Sequence, residues 1–203
     1  MRIVIKDYRI NGGEKMRIET RADGLHISGY VNVTGKPSRP VITPHGKVIE
    51  TIEERAFDNA IKKSGDITVT VDHDSGHVYA STKDGTLQLS EDAIGLHADV
   101  LITDPTVIEM AKKGKIRGWS FGMYNVIDEL EQRAEGLPIR HVKDFMLDHI
   151  TLVKDKIPCY SATSVEYRAE NAVDIEERSM DIPTEYIEKP DYTNFKERMR
   201  KIL

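Results

Sequence analysis

Cysteine is nearly absent from this sequence: among 203 residues there is one, Cys159. A single cysteine excludes an internal disulfide framework and any zinc site built from several cysteines. So low a count is typical of proteins kept in a reducing compartment. Because free cysteine usually behaves as a small buried residue, we expect Cys159 to lie in the core.

Long apolar runs are also missing. No stretch approaches the roughly 18 consecutive apolar residues that a membrane-spanning helix needs, and the first ten residues lack the apolar centre of a signal peptide. We therefore expect neither export nor a membrane partner.

Positive charge is in the minority, with 29 Lys and Arg against 34 Asp and Glu and a net charge of −5. An acidic surface repels phosphate backbones, so we do not expect direct binding of nucleic acid. A composition of 39% hydrophobic and 31% charged residues is ordinary for a soluble globular protein. At this length, one domain with a sizeable core is the default expectation.

What the sequence does contain is short runs in which apolar and polar residues alternate. A period of two with β-branched side chains predicts strands. The last two of these runs are separated by a turn-like break and predict a β-hairpin. The runs lie at residues 16–20, 25–33, 67–71, 85–89 and 95–102.

Only a few segments favour helices. Residues 53–63 and 107–113 combine good helix formers with apolar side chains on one face. A strand is predicted for residues 116–127, although 126–130 could instead continue as a short helix, and a last strand covers 145–153. The sequence thus predicts a mainly β fold with a few helices.

The last part of the chain, residues 166–203, has a different character. It holds ten acidic and seven basic residues together with Pro183 and Pro190, too much charge to bury a core of its own. We expect a folded domain over residues 1–165 and a charged tail over 166–203. Its final segment, 194–203, can form one amphipathic helix that would need a partner surface.

A short glycine and serine pattern raises the possibility of a nucleophile. Gly118, Ser120 and Gly122 have the spacing of a hydrolase nucleophile elbow, which requires a strand, a sharp turn and then a helix. Here Ser120 follows a predicted helix and lies within a predicted strand, so we reject the elbow. The glycines could leave room for a substrate backbone beside Ser120, or they could simply be bends in the strand.

A serine nucleophile needs a base to remove its proton, and histidine is the usual one. Two of the seven histidines stand out. His73 follows an apolar strand at a position that could open onto a cleft, and His149 lies inside the last predicted strand. A surface or capping role for His73 and a hydrogen-bonded core position for His149 are the simpler alternatives.

A metal site is another hypothesis for the same region. His73, Asp74 and His77 bring possible ligands close together, but their spacing is not that of the helical H-E-x-x-H motif. We favour a site without metal or cofactor.

Six segments, taken together, resemble one family. In their order and approximate spacing, they are similar to motifs of the tailed-phage prohead proteases, which are related to the herpesvirus assemblin serine proteases. The resemblance covers about residues 16–165. The segments are IEERAFD (52–58), VDHD (71–74), GTL (85–87), IRGWSFG (116–122), LDHITLV (147–153) and PCYSATSV (158–165).

The resemblance implies a fold and a set of site residues. The fold would be a compact, antiparallel β-barrel with packed helices. Ser120 would be the nucleophile, His73 the general base and His149 the third member of a Ser-His-His triad. Asp148 is the rival third member, but neighbouring strand residues face opposite sides, so only one of the two can point at His73, and we favour His149. By analogy, oxyanion donors are expected in the loop 154–157.

The resemblance also implies a function. The protein would be a serine endopeptidase that cleaves capsid and scaffold proteins, and self-processing of its termini is implied as well. It would act in the host bacterial cytoplasm, inside the assembling prohead, as a homodimer or higher oligomer. The tail 166–203 would be a self-cleaved extension or a docking segment. The alternative is a non-enzymatic scaffold or capsid-assembly protein that retains the fold.

Overall fold

The computed structural model describes residues 4–9, 15–44, 46–155 and 158–160. These residues form eleven strands and two helices, so the predicted mainly β fold with a few helices is confirmed. In chain order the elements are β1 (Val4–Arg9), β2 (Lys15–Thr20), β3 (Leu25–Val33), β4 (Pro40–Thr43), β5 (Gly46–Ile52), α1 (Ala56–Lys63), β6 (Thr68–Val71), β7 (Ala80–Ser81), β8 (Leu87–Glu91), β9 (Gly95–Ile102), α2 (Pro105–Lys112), β10 (Gly118–Glu131) and β11 (Ile139–Val153).

The first sheet has the strand order β1-β2-β3-β9-β8, and all its neighbouring pairs are antiparallel. Its alternating sequence places apolar side chains on the buried face. Leu25 pairs with Ile102 and Ile27 with Val100, and all four are 3% exposed or less. Burying each such side chain contributes about 1.5 to 3 kcal/mol, which holds this face on the core.

The second sheet has the strand order β4-β5-β11-β6-β7, with β10 also paired to β11. Strand β11 runs antiparallel to β10 along most of its length. Its first part, from Ile139 to Val142, runs parallel to β5, and its later part, from His149 to Leu152, runs parallel to β6. Strand β11 is hydrogen-bonded to β5, β6 and β10, so residues of these three strands are positioned by their pairing with it.

An aromatic cluster joins the second sheet to helix α1. Phe57 on α1 lies edge-to-face against Phe121 on β10 and Phe145 on β11, with ring centroids 5.1 and 5.2 Å apart. Such pairs contribute about 0.5 to 1.5 kcal/mol beyond the burial of their area. Trp119 and Cys159 are buried in the same core, as expected for the cysteine.

The expected closed antiparallel barrel is not found. Across the residues that the structure describes, the two sheets remain open, with β1 and β8 at the edges of one and β4 and β7 at the ends of the other. The sheet around β11 is also mixed rather than purely antiparallel, because β5 and β6 run in the same direction as β11.

The alternative of a helix at 126–130 is wrong, because β10 continues as a strand to Glu131. Pairing with β11 decides this outcome: Asp128 lies opposite Val142 and Leu130 opposite Arg140. An irregularity occurs just before, where Asn125 has a φ of 51° and the register shifts. The cross-strand pairs therefore override the local helix propensity.

The predicted tail 166–203 and the boundary after residue 165 lie outside the described residues. Neither α1 nor α2 has the length or apolar character needed to cross a membrane.

Candidate active site

Three side chains form a hydrogen-bonded row: one from β10, one from β11 and one from the turn that follows β6. The Nε2 atom of His73 lies 3.2 Å from Oγ of Ser120. The Nδ1 atom of the same ring lies 2.7 Å from Nε2 of His149. The structure thus brings together all three residues that the sequence pointed to.

Strand register explains why these residues meet. On the β10–β11 pair, Ser120 lies opposite Thr151 and Gly122 opposite His149. On its other edge, β11 runs beside β6, which ends at Val71, two residues before His73. Strand β11 therefore carries one member of the row and places the other two on either side of itself.

The backbone at His73 is unusual. Asp72 and His73 have φ values of 49° and 62°, in the left-handed region that residues other than glycine rarely adopt. The buried hydroxyl of Thr151 accepts a hydrogen bond from the His73 backbone N–H at 3.1 Å, and the Leu152 carbonyl accepts one from Asp72 at 3.0 Å. Strand β11 therefore holds a turn that would cost about 1 to 3 kcal/mol per residue if left unsupported.

Gly122 provides the space that His149 occupies. A Cβ built on Gly122 would lie 2.7 Å from Nδ1 and 2.9 Å from Nε2 of the imidazole, closer than real Cβ contacts allow. The glycine spacing left two possibilities, room for a substrate backbone or bends in the strand. At Gly122 the space is occupied by the His149 ring of the same row. This contact could not be predicted from the sequence, because it arises only from the pairing of two strands.

The row is largely shielded from solvent. Ser120 is 2% exposed and the side chain of His149 is 13% exposed. The two imidazoles meet edge-on, with centroids 5.0 Å apart and an interplanar angle of 73°. Such shielding strengthens hydrogen bonds and charge interactions within the row.

The two rivals for the third position occupy different places. His149, not Asp148, lies against His73. Asp148 is instead on the far side of His149, with its Oδ2 atom 2.7 Å from His149 Nδ1 and its side chain 63% exposed.

Comparison with known proteins identifies a family for the chain. A family model described as caudovirus prohead serine protease matches residues 14–178, which is most of the chain. The chain belongs to this family. No curated protein and no solved structure gave a significant match. Membership of the prohead proteases makes it a serine hydrolase of phage capsid maturation.

In this prohead protease, hydrogen bonds join the loop after β11 to the turn that carries His73. The Asp72 carboxylate accepts hydrogen bonds from the backbone N–H groups of Lys154 at 2.8 Å and Asp155 at 3.3 Å. Both amides belong to the segment 154–157 where oxyanion donors were expected, and both are directed at Asp72. Residues 156 and 157 lie outside the described residues. Sequence reasoning missed this role of Asp72.

The metal hypothesis lacks a suitable set of ligands. Within the described ranges, no group of three or more His, Cys, Asp and Glu side chains is arranged to hold a metal ion. His77 bonds to Asp74 at 2.8 Å, and this hydrogen bond lowers the pKa of Asp74. His73 is turned away from that pair, toward Ser120 and His149.

Proposed function

We propose that this prohead protease is an endopeptidase that uses Ser120 as nucleophile, His73 as general base and His149 as the residue that orients His73. One observation carries the proposal: the two hydrogen bonds that join Ser120 Oγ, His73 and His149 in a row. This is the arrangement that serine acyl transfer needs, in which a base contacts the nucleophile and a third group contacts the base.

The reaction follows from the positions of these atoms. As Ser120 Oγ bonds to the peptide carbonyl carbon, its proton passes to His73 Nε2, and the carbonyl oxygen becomes an oxyanion. When the C–N bond breaks, His73 returns that proton to the departing amine. Water then attacks the acyl-enzyme and gives one proton to His73, which passes it to Ser120 Oγ as the acyl C–O bond breaks. The product leaves as a carboxylic acid, which loses its remaining proton to solvent.

His149 affects the expected rate. It holds the His73 ring in place, but a neutral imidazole stabilises an imidazolium less than a carboxylate does. We therefore expect slow turnover, which suits a single programmed round of cleavage. The loop 154–157 is the proposed source of oxyanion donors, and the amides of Lys154 and Asp155 could serve only after leaving Asp72.

The proposed substrates are capsid and scaffold proteins within the assembling prohead, in the host bacterial cytoplasm. Self-processing is proposed at the chain's own termini, with the charged segment 166–203 as one substrate or as the part that docks the enzyme in the shell. A homodimer or larger assembly is part of the same proposal.

Replacing the nucleophile tests the proposal. Ser120→Ala should lower cleavage of the matching capsid protein at least about a thousandfold, because its side chain cannot form the acyl-enzyme. Ser90→Ala is the matched control, since Ser90 is exposed on β8 in the other sheet. Gel analysis would follow the capsid protein, and mass spectrometry of both purified variants would locate self-cleavage. Equal cleavage by Ser120→Ala and the unmodified protein, or no cleavage by either, would contradict the protease function.

A further inference from the structure

Asp148 is the extra residue of a β-bulge next to the candidate active site. Gly122 pairs with His149 and Met123 pairs with Leu147, so β11 has one more residue than β10 between these pairs. In a regular strand, neighbouring side chains point to opposite faces. A bulge bends the strand and redirects a side chain. This explains how the Asp148 carboxylate reaches the imidazole of its own neighbour, 2.7 Å from Nδ1.

With Asp148, the row contains four groups. Only one placement of the imidazole hydrogens lets His73 accept the Ser120 proton. His73 Nε2 must be unprotonated to receive the Ser120 proton, so neutral His73 carries its hydrogen on Nδ1. That N–H then donates to His149 Nε2, which must also be unprotonated. The hydrogen of neutral His149 is therefore on Nδ1, where it faces Asp148.

A carboxylate is suited to this last position. An ionised aspartate only accepts hydrogen bonds, so it stabilises the Nδ1–H form of His149 and disfavours the other tautomer. With the hydrogen on Nε2 instead, His149 would donate to His73 Nδ1, and the His73 hydrogen would move to Nε2. In that state His73 could not accept the Ser120 proton.

We propose that Asp148 is a positioning residue that fixes the tautomer of His149 and, through it, the tautomer of His73. The inference rests on the proposed function, in which Ser120 is the nucleophile. Asp148 and His149 then act in series rather than as rivals for one position.

The exposure of Asp148 sets the size of the effect. Its side chain is 63% exposed, so water screens much of its charge. Removing it should slow the reaction of Ser120 by about threefold to tenfold, far less than loss of the nucleophile. The change should appear in the rate of the chemical step rather than in binding, because Asp148 touches neither Ser120 nor His73 in the row described.

The direct test is NMR of the isotope-labelled imidazole nitrogens in the full chain. Their chemical shifts distinguish the Nδ1–H from the Nε2–H tautomer, and this readout does not depend on catalysis. We expect His149 and His73 both to be Nδ1–H in the unmodified protein. In Asp148→Ala and Asp148→Asn, a substantial fraction of His149 should become Nε2–H, while Asp148→Glu should restore the original state. If His149 stays Nδ1–H in both variants, the inference is wrong.

A fluorophosphonate probe supplies the rate. Ser120 Oγ bonds to phosphorus, fluoride leaves, and His73 takes the hydroxyl proton, so the labelling rate reports activation of Ser120 without a peptide substrate. Asp148→Ala and Asp148→Asn should label more slowly, and Asp148→Glu should recover most of the rate. Glu131→Gln is the matched control: Glu131 forms a similar carboxylate–histidine pair with His141 at 2.8 Å on the same two strands.

The outcomes separate the two proposals. Labelling of the unmodified protein at the same rate as Ser120→Ala would contradict the proposed function, and the tautomers would still decide the role of Asp148. Normal labelling of the unmodified protein, with Asp148→Asn within twofold of it, would leave the protease function standing and overturn the role of Asp148.

Discussion

At the scale of single residues, the row of Ser120, His73 and His149 depends on a glycine as well as on the three side chains that form it. Gly122 faces the imidazole of His149 across the β10–β11 pair, and nothing larger than hydrogen fits between them. The row from Ser120 to His149 needs His149 at 2.7 Å from His73. The position of the His149 ring therefore depends on a residue that has no side chain.

A methyl group at this position should uncouple the row. In Gly122→Ala, the new Cβ would push the His149 ring away from His73, and displacement of a catalytic group by about 1 Å can cost about a hundredfold in rate. We expect a loss of that order in labelling by the fluorophosphonate probe, with the fold retained in circular dichroism. Gly65→Ala is the control, because a Cβ there meets open space. A Gly122→Ala protein that labels normally would show that the position of His149 does not matter.

At the scale of the elements, the sequence predicted the strands in which apolar and polar residues alternate clearly, and it missed or shortened others. Strands β3 and β9 matched in both position and extent, because each has several alternating apolar residues. Strands β4 and β7, of four and two residues, were missed, whereas β6, also of four residues, was predicted at 67–71 because Val and Thr alternate along it. Strand β11 begins at Ile139, well before the predicted start at 145, because its early part is defined by pairing with β5 and β10.

The same distinction applies to the site. Ser120, His73 and His149 could be proposed from residue type, position in predicted elements and resemblance to a family. The contact between Asp148 and His149 could not, because strict alternation assigns neighbours to opposite faces, and a bulge leaves no mark in the residues themselves. Thr151 was also missed, since a threonine in an apolar strand reads as an ordinary strand residue.

The β8–β9 turn provides a test of stability against pH. Asp92 accepts a hydrogen bond from the Tyr30 hydroxyl and others from the N–H groups of Ile94 and Gly95. The Tyr30 hydrogen bond, followed by the backbone ones, lowers the pKa of Asp92 below its usual range. A lowered pKa in the folded state means that the carboxylate stabilises the fold above its unfolded pKa, and that this contribution is lost as the pH falls through the folded value.

We therefore expect Asp92→Asn to be less stable than the unmodified protein at about pH 7, with a smaller difference between them at about pH 3. Urea unfolding at both pH values would measure the free energy of unfolding. Glu135→Gln, which changes an exposed carboxylate, is the control and should alter neither value appreciably. A difference for Asp92→Asn that grows on acidification would contradict the assigned role.

At the scale of the whole molecule, a buried charged cluster connects the second sheet to the end of the described chain. Arg140 on β11 pairs with Glu50 on β5 at 3.0 Å and also with Asp128 on β10. The Tyr160 hydroxyl donates to the other oxygen of Glu50 at 2.7 Å. Arg140 and Glu50 are 2% and 0% exposed, so their charges depend on one another rather than on water.

Removing the cation should therefore destabilise the molecule far more than removing a surface charge. Arg140→Ala leaves two carboxylates close together without their shared partner, and breaking a buried pair in this way costs about 3 to 5 kcal/mol. Denaturant unfolding would measure the loss. The control is Arg133→Ala, which removes an exposed arginine in the segment that joins β10 to β11 and should change stability by less than about 0.5 kcal/mol.

Because the cluster lies at the opposite end of the β10–β11 pair from Ser120, the folded fraction of Arg140→Ala should still label with the fluorophosphonate probe at close to the normal rate. Full stability in Arg140→Ala would mean that the carboxylates find other partners, and slow labelling of fully folded protein would mean that the cluster also shapes the active site through β11.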